Sequence, residues 1–412
     1  MKILIVFLRL CFLFCFFAST DAVSDELPHD VYIWQRLWTP ALRDSIESSK
    51  GLIDNWRVLA AQTDASGHLK NIAADRVLLT NTKRPVVLVF RIETGLGRFQ
   101  SDVLVKEILS TLGDWQGSGT PILGVEIDHD CATNKLDTYT QFLILLRIGL
   151  HTASSEHLRL SATALPAWLN SPSALQQLLE AVDEAVLQVH AVQIPTQGLF
   201  NQAKAKRWIE DFNELTEKPF RVALPTYGYR LNKDEKGKLQ FVEGEMPVAG
   251  QSTSQQELTV SPLALAALLN DLNQIRPEHL QGIVWFRLPT ASDRRALQLT
   301  TWHALLKRQP LQAQLQLNVV PSIKNSALYD LVLINDGLLD APLPTALILE
   351  KESCTEVEAL NGYRLTSAAE TFNNAAVWRL EKTFAGTLRA RHQRVVGWMR
   401  CSSPEIKRYV LQ

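Results

Sequence analysis

Gly124-Val125-Glu126-Ile127-Asp128-His129-Asp130-Cys131 places an acid at every second position of an apolar run. In an extended strand alternate side chains share a face and recur about every 6.6–6.8 Å. Glu126, Asp128 and Asp130 would therefore line one face, stacked along the strand direction. Gathering three carboxylates costs energy, and like charges raise at least one pKa, which suits a proton donor. Balancing arginines would reduce that cost. Arg36, Arg91 and Arg287 lie late in neighbouring apolar runs, so part of the cluster is expected to be ion-paired.

Working outward, apolar β-branched runs recur at residues 31–38, 56–61, 85–92, 121–128, 158–165, 185–192, 220–227 and 282–288. Helical patterns fall between them, clearest at 101–112, 136–150, 174–182, 203–215, 262–272 and 292–307. Strands alternating with helices predict parallel pairing with right-handed crossovers. Eight such units over about 280 residues predict an α/β fold, a (β/α)₈ TIM barrel, with the acids climbing toward its C-terminal mouth. A doubly wound open sheet is the alternative, but its glycine-rich first turn is missing. Beyond about residue 310, short strands are expected at 315–321, 327–334, 346–350, 376–380 and 395–401. Turn signals such as Asn335-Asp336-Gly337 and Asn361-Gly362 separate them. That texture predicts a small all-β, sandwich-like domain. The expected organisation is a signal peptide at 1–22, the barrel at 23–308 and the sandwich-like domain at 309–412.

The signal peptide is read from Lys2, an apolar stretch through Phe17 and the small residues Ala18, Ser19, Thr20 and Ala22. Its apolar part is too short to span a bilayer, so no stable transmembrane anchor is expected after cleavage. The expected location is periplasmic or secreted. In an oxidising compartment Cys354 and Cys401 could form a disulfide, with two buried thiols as the alternative; Cys131 would be unpaired. Lys+Arg 42 against Asp+Glu 43 leaves a net charge of -1, which argues against a nucleic-acid surface. No CxxC, GxSxG, Walker A, HExxH or GxGxxG occurs.

The acidic run resembles the D-G-x-D-x-D-x-E signature of family 18 glycoside hydrolases, the chitinases and their relatives. Phe220–Gly228 is similar to that family's seventh-strand segment, with residues 232–257 where an insertion often follows, Gly237 being a possible hairpin turn. Gly282-Ile283-Val284-Trp285 is similar to its eighth-strand segment, and residues 186–190 take the sixth-strand place. The resemblance covers roughly residues 30–305. It implies that Asp130 is the catalytic acid, that Asp128 steadies an N-acetyl group acting as internal nucleophile, and that Glu126 tunes Asp128. It further implies that Trp285 stacks on sugar and that Tyr227 hydrogen-bonds near it. The sequence departs from the pattern: Leu123, Glu126 and Asp130 replace Asp, Asp and Glu, and His190 replaces a Tyr. A carboxyl retracted by one methylene costs rate, since misplacement by ~1 Å can cost about a hundredfold. Residues 126–133 and 223–228 also resemble an uncharacterised bacterial family known only as a domain of unknown function.

Further candidates follow from position. Glu93, two residues after Arg91, could be a second carboxylate across the mouth. Gln188 and His190 could contact substrate, although a core histidine fits equally. Trp34 and Trp38 could be sugar platforms or plain packing. His129 should point away from its acidic neighbours, so no metal or other cofactor is expected. Asp293-Arg294-Arg295 reads as a surface run starting a helix. The expected function is glycan hydrolysis. A catalytically inactive glycan-binding barrel and a structural envelope protein, its acids paired with Arg91 and Arg287, are the alternatives.

Overall fold

A computed structural model of the chain describes residues 26–93, 95–153, 157–190, 198–244, 254–322, 328–350, 354–372, 375–402 and 409–411. The expected signal peptide lies outside the described residues.

Eight parallel strands close into a barrel: His29–Ile33, Trp56–Thr63, Val86–Arg91, Ile122–Asp128, Arg159–Ala164, Glu184–Gln188, Phe220–Pro225 and Leu280–Phe286. The first strand pairs with both the second and the eighth, which closes the sheet. All eight expected strands are present, and the doubly wound alternative is excluded. A short strand, Leu69–Asn71, adds antiparallel to the second. The helices pack outside. Their starts carry the residues that satisfy orphan backbone donors: Thr39, Asp75, Asn201 and Ser261 each accept a hydrogen bond from an N–H in the first turn. Leu, Ile and Val from strand backs and helix faces form one continuous core with Trp56, Trp115, Trp168, Trp285 and Trp302 wholly buried.

Three of the boundary differences move candidate residues or lengthen a loop at the mouth. The first strand runs two residues earlier and stops at Ile33, so Trp34 and Arg36 sit in the loop beyond it. The sixth strand ends at Gln188. The last barrel helix begins at Leu299, not near Ser292. Asp293 is buried and bonded to Arg287, and Arg295 pairs with Glu243 and Glu257. The Asp293-Arg294-Arg295 run is therefore no helix-starting surface run. Its charges pin the loop after the eighth strand to a small antiparallel sheet that follows the seventh. That sheet is Leu239–Glu243, Tyr229–Lys233 and Ser254–Leu258. Gly237, at φ 75°, makes its hairpin turn, a conformation glycine adopts without strain.

The C-terminal region holds two four-stranded antiparallel sheets. One runs Leu315–Pro321, Leu328–Asn335, Gln393–Cys401, Cys354–Ala359; the other Tyr363–Phe372, Ala375–Lys382, Ala346–Glu350, Tyr409–Leu411. Leu331, Leu333, Val396 and Met399 of the first share a core with Leu347, Leu349, Trp378 and Leu380 of the second. The two sheets thus pack face to face. Cys354 and Cys401 pair across adjacent strands and are joined by a disulfide. Cys131 is buried and free.

Candidate active site

The barrel interior is layered, and its lowest polar layer was not foreseen. Arg57, from the second strand, is buried with its Nε 2.9 Å from Asp30 and its Nη2 2.6 Å from Glu184. Its Nη1 pairs with Glu126. Arg221 closes the ring, Nε 2.9 Å from Glu184 and Nη1 3.6 Å from Asp30. Three carboxylates thus face two guanidiniums at the strands' N-terminal half. A Cβ on Gly282 would come within 2.7 Å of the Pro28 carbonyl oxygen and would strike Arg221, so a side chain there would disrupt the layer.

Glu126 belongs to this layer rather than to the mouth. Tyr32 donates to its Oε1 at 2.5 Å and Ser161 to its Oε2 at 3.1 Å. Burial pushes Glu126 above the ordinary carboxylate range, with Arg57 pulling the other way. The expected charge partners Arg91 and Arg287 do not touch it. The side chains that hydrogen-bond Asp128 are Arg91, Thr163 and Gln188. Above Glu126 an apolar layer follows: Val89, Val186, Ala223 and Val284 with the Tyr32 ring.

Over that layer opens a pocket of about 300 Å³ at the C-terminal ends of the strands. Catalytic residues of this architecture come from the same end. Asp128 and Asp130 line it with Arg91, Glu93, Thr163, Gln188, His190, Tyr227 and Trp34. Arg91 Nη1 lies 2.6 Å from Asp128 Oδ2 and 2.9 Å from Asp130 Oδ2. Thr163 donates to Asp128 Oδ1 at 2.9 Å and Gln188 at 3.3 Å. Burial raises Asp128 to about 6, against the opposing pull of Arg91, with Asp130 adding to the rise. Glu93 Oε1 is 3.7 Å from Arg91 Nε, half-exposed at the rim. His190 Nδ1 is 3.1 Å from Tyr227 Oη, and burial pulls its pKa down to about 4.

Trp285 is not at the pocket. Its side chain points to the helix shell, fully buried, with Nε1 donating to His29 Nδ1 at 3.3 Å and its ring edge-on to Trp302. Period-two alternation is the reason: the next residue, Phe286, faces inward. Phe286 packs edge-on against Trp34 at 5.1 Å and stacks on His190 at 5.5 Å, 20° between planes. Together with Tyr32, Tyr227 and Tyr229 it makes the aromatic wall. Arg287 likewise turns away, bonded to Asp293 at 2.8 Å, and does not line the pocket. His129 bonds the Ile92 carbonyl through Nδ1 at 2.8 Å, packed edge-on to Tyr139. Trp38 packs against the outer core. Arg57, Thr163 and Phe286 went unrecognised in the sequence. The signal available for Phe286 was the alternation itself, set by the inward acids of the fourth strand.

Among the described residues no three His, Cys, Asp or Glu side chains are grouped to hold a metal ion. No described helix is long and apolar enough to cross a membrane.

A family model described as "Domain of unknown function (DUF3142)" matches residues 82–291, and one described as "Domain of unknown function (DUF8456)" matches residues 318–402. No curated protein matches the sequence. Among solved structures, the chain is similar to the Bacillus cereus spore cortex-lytic enzyme SleL. The TM-score is 0.48 and the identity 11%, covering 70% of this chain and 75% of that one. It is also similar to a chitinase from Chromobacterium violaceum, at TM-score 0.47 and 14% identity over 68% and 98% of the two chains. The chitinase ChiA74 from Bacillus thuringiensis gives TM-score 0.47 and 9% identity over 94% and 100%. None of these likenesses carries a residue role to this chain.

Proposed function

This chain belongs to the family described as a domain of unknown function, DUF3142, and on that premise we propose an exported glycoside-hydrolase-like protein acting on a glycan that contains N-acetylhexosamine. One observation carries the reading: two aspartates share a single arginine nitrogen inside an aromatic-walled pocket at the barrel's C-terminal mouth. Aromatic faces suit the apolar faces of pyranose rings, and the polar groups beside them fix orientation.

Asp130, partly open to solvent, protonates the glycosidic oxygen. Asp128, gripped by Thr163, Gln188 and Arg91, orients the substrate's N-acetyl group while that group attacks the anomeric carbon. Such substrate-assisted hydrolysis needs no protein nucleophile. These are the roles that the resemblance to family 18 implies at the matching positions. Trp34 and Phe286 form the sugar platform in place of Trp285. Export is supported by the Cys354–Cys401 disulfide, since such bonds persist in oxidising compartments.

The test is to incubate the mature protein with mixed bacterial envelope glycans and read released fragments by mass spectrometry beside Asp130→Asn. Fragments from the wild type alone support the hydrolase. Arg91 Nη1 at 2.9 Å from Asp130 favours a second reading, binding without turnover, because the carboxyl meant for the glycosidic oxygen is already engaged by a protein group. An oligosaccharide that binds and stays intact would establish that reading instead.

A further inference from the structure

The pocket lining holds more carboxylate than guanidinium. Asp128, Asp130 and Glu93 stand against Arg91 and Arg36. Arg91 answers all three acids at once, at 2.6, 2.9 and 3.7 Å. Arg36 is turned aside, its Nε donating to Gln62 at 2.7 Å. Both oxygens of Asp128 are taken, by Thr163 and Gln188 on one side and Arg91 on the other. The exposed carboxyl groups are therefore those of Asp130 and Glu93, whose side chains are 34% and 51% exposed, and Asp130 is the one the reading above uses as acid.

A second observation points the same way. His190 is only 7% exposed, lines the pocket, and its Nε2 has no partner among the described residues. A buried polar atom left unpaired calls for a ligand atom. Nδ1 is committed to the hydroxyl of Tyr227, whose ring packs against Tyr229. Burial pulls the ring's pKa down to about 4, so it stays neutral near pH 6 and Nε2 is left to meet one polar atom of a ligand.

More carboxylate than guanidinium, a buried unpaired ring nitrogen and aromatic walls together favour a ligand that is cationic and polar. We propose that the pocket recognises a free ammonium group, that of a hexosamine without its acetyl group, in a glycan whose neighbouring sugars keep theirs. Glu93 answers the charge, and His190 Nε2 hydrogen-bonds a polar atom of the ligand. The proposal rests on the glycan reading above and names its substrate class. A fully acetylated chain would bring no cation to meet Glu93, whose one ion pair is the long 3.7 Å contact with Arg91.

The test measures calorimetric binding of two probes, fully N-acetylated chitotetraose and its partially de-N-acetylated counterpart. Both probes are measured at pH 6, where the hexosamine amine is mostly protonated. The wild type is expected to bind the de-N-acetylated probe about tenfold more tightly, as one charge-assisted contact allows. That preference should shrink in Glu93→Gln and His190→Phe and fade at high salt. Equal or tighter binding of the acetylated probe overturns the proposal, as does an undiminished preference in Glu93→Gln. The half-exposed position of Glu93 makes its variant a fair test even if His190→Phe folds poorly. If the wild type binds neither probe, the glycan reading itself falls and this one with it.

Discussion

Asp128 and Asp130 share one nitrogen: Arg91 Nη1 lies 2.6 Å from the first carboxylate and 2.9 Å from the second. Their environments nevertheless differ. Asp128 is buried and held by three side chains, whereas Asp130 leans on Arg91 at the rim. Asymmetry of this kind separates the tasks of two neighbouring acids. Asp130→Asn is expected to abolish fragment release while leaving the melting temperature within a few degrees of wild type. Undiminished turnover would remove Asp130 as the acid.

The pH dependence of stability follows from Asp128. Its folded pKa, raised to about 6 from the ordinary 3.8, means that the folded state holds a proton the unfolded chain has released between those values. Its contribution is fully present below about 3.8 and is lost as pH rises through about 6. Asp128→Asn mimics the protonated form at every pH. The melting temperature of this variant relative to wild type should therefore climb between pH 4 and 6 and level off above. A flat difference across that window would contradict the raised pKa.

The wall position that the sequence assigned to Trp285 is taken by Phe286. Trp285→Ala empties a fully buried site and should destabilise the barrel by about 3–5 kcal/mol with little change in glycan affinity once folded. Phe286→Ala, at the pocket wall, should weaken binding with a smaller stability loss. Denaturant titration and calorimetry on both variants separate the two effects, and weaker binding in a folded Trp285→Ala alone would reverse the assignment.

Arg57 balances Asp30, Glu126 and Glu184 where water cannot reach. Removing one member of a buried ionic cluster leaves charge uncompensated, at a cost of about 3–5 kcal/mol. Arg57→Met should lower the unfolding midpoint accordingly. A variant as stable as wild type would show that the layer contributes little.

Reducing the Cys354–Cys401 bond, which spans 47 residues of sequence, should remove roughly 4 kcal/mol from the sandwich-like region by the chain-entropy estimate. Differential scanning calorimetry with and without reductant reads the change. Unaltered melting would mean the two sheets hold that region without the bond.

Much of the architecture was legible in the sequence because it rests on local periodicity. Alternating acids at 126, 128 and 130, eight apolar runs and the helical stretches between them already imply a closed parallel sheet. The turn signals after residue 310 imply antiparallel strands for a comparable reason, since turn chemistry acts over a few residues. What only the tertiary structure decided is which side chain meets which. Arg57 sits 69 residues before Glu126, and nothing local marks it as that acid's partner. The choice between Trp285 and Phe286 depended on a one-residue register, which sends the first to the shell and the second to the pocket. Local pattern sets which faces turn inward, but partners across a barrel are chosen by strand stagger and by the demand that every buried charge find its opposite. Those conditions exist only once the sheet has closed.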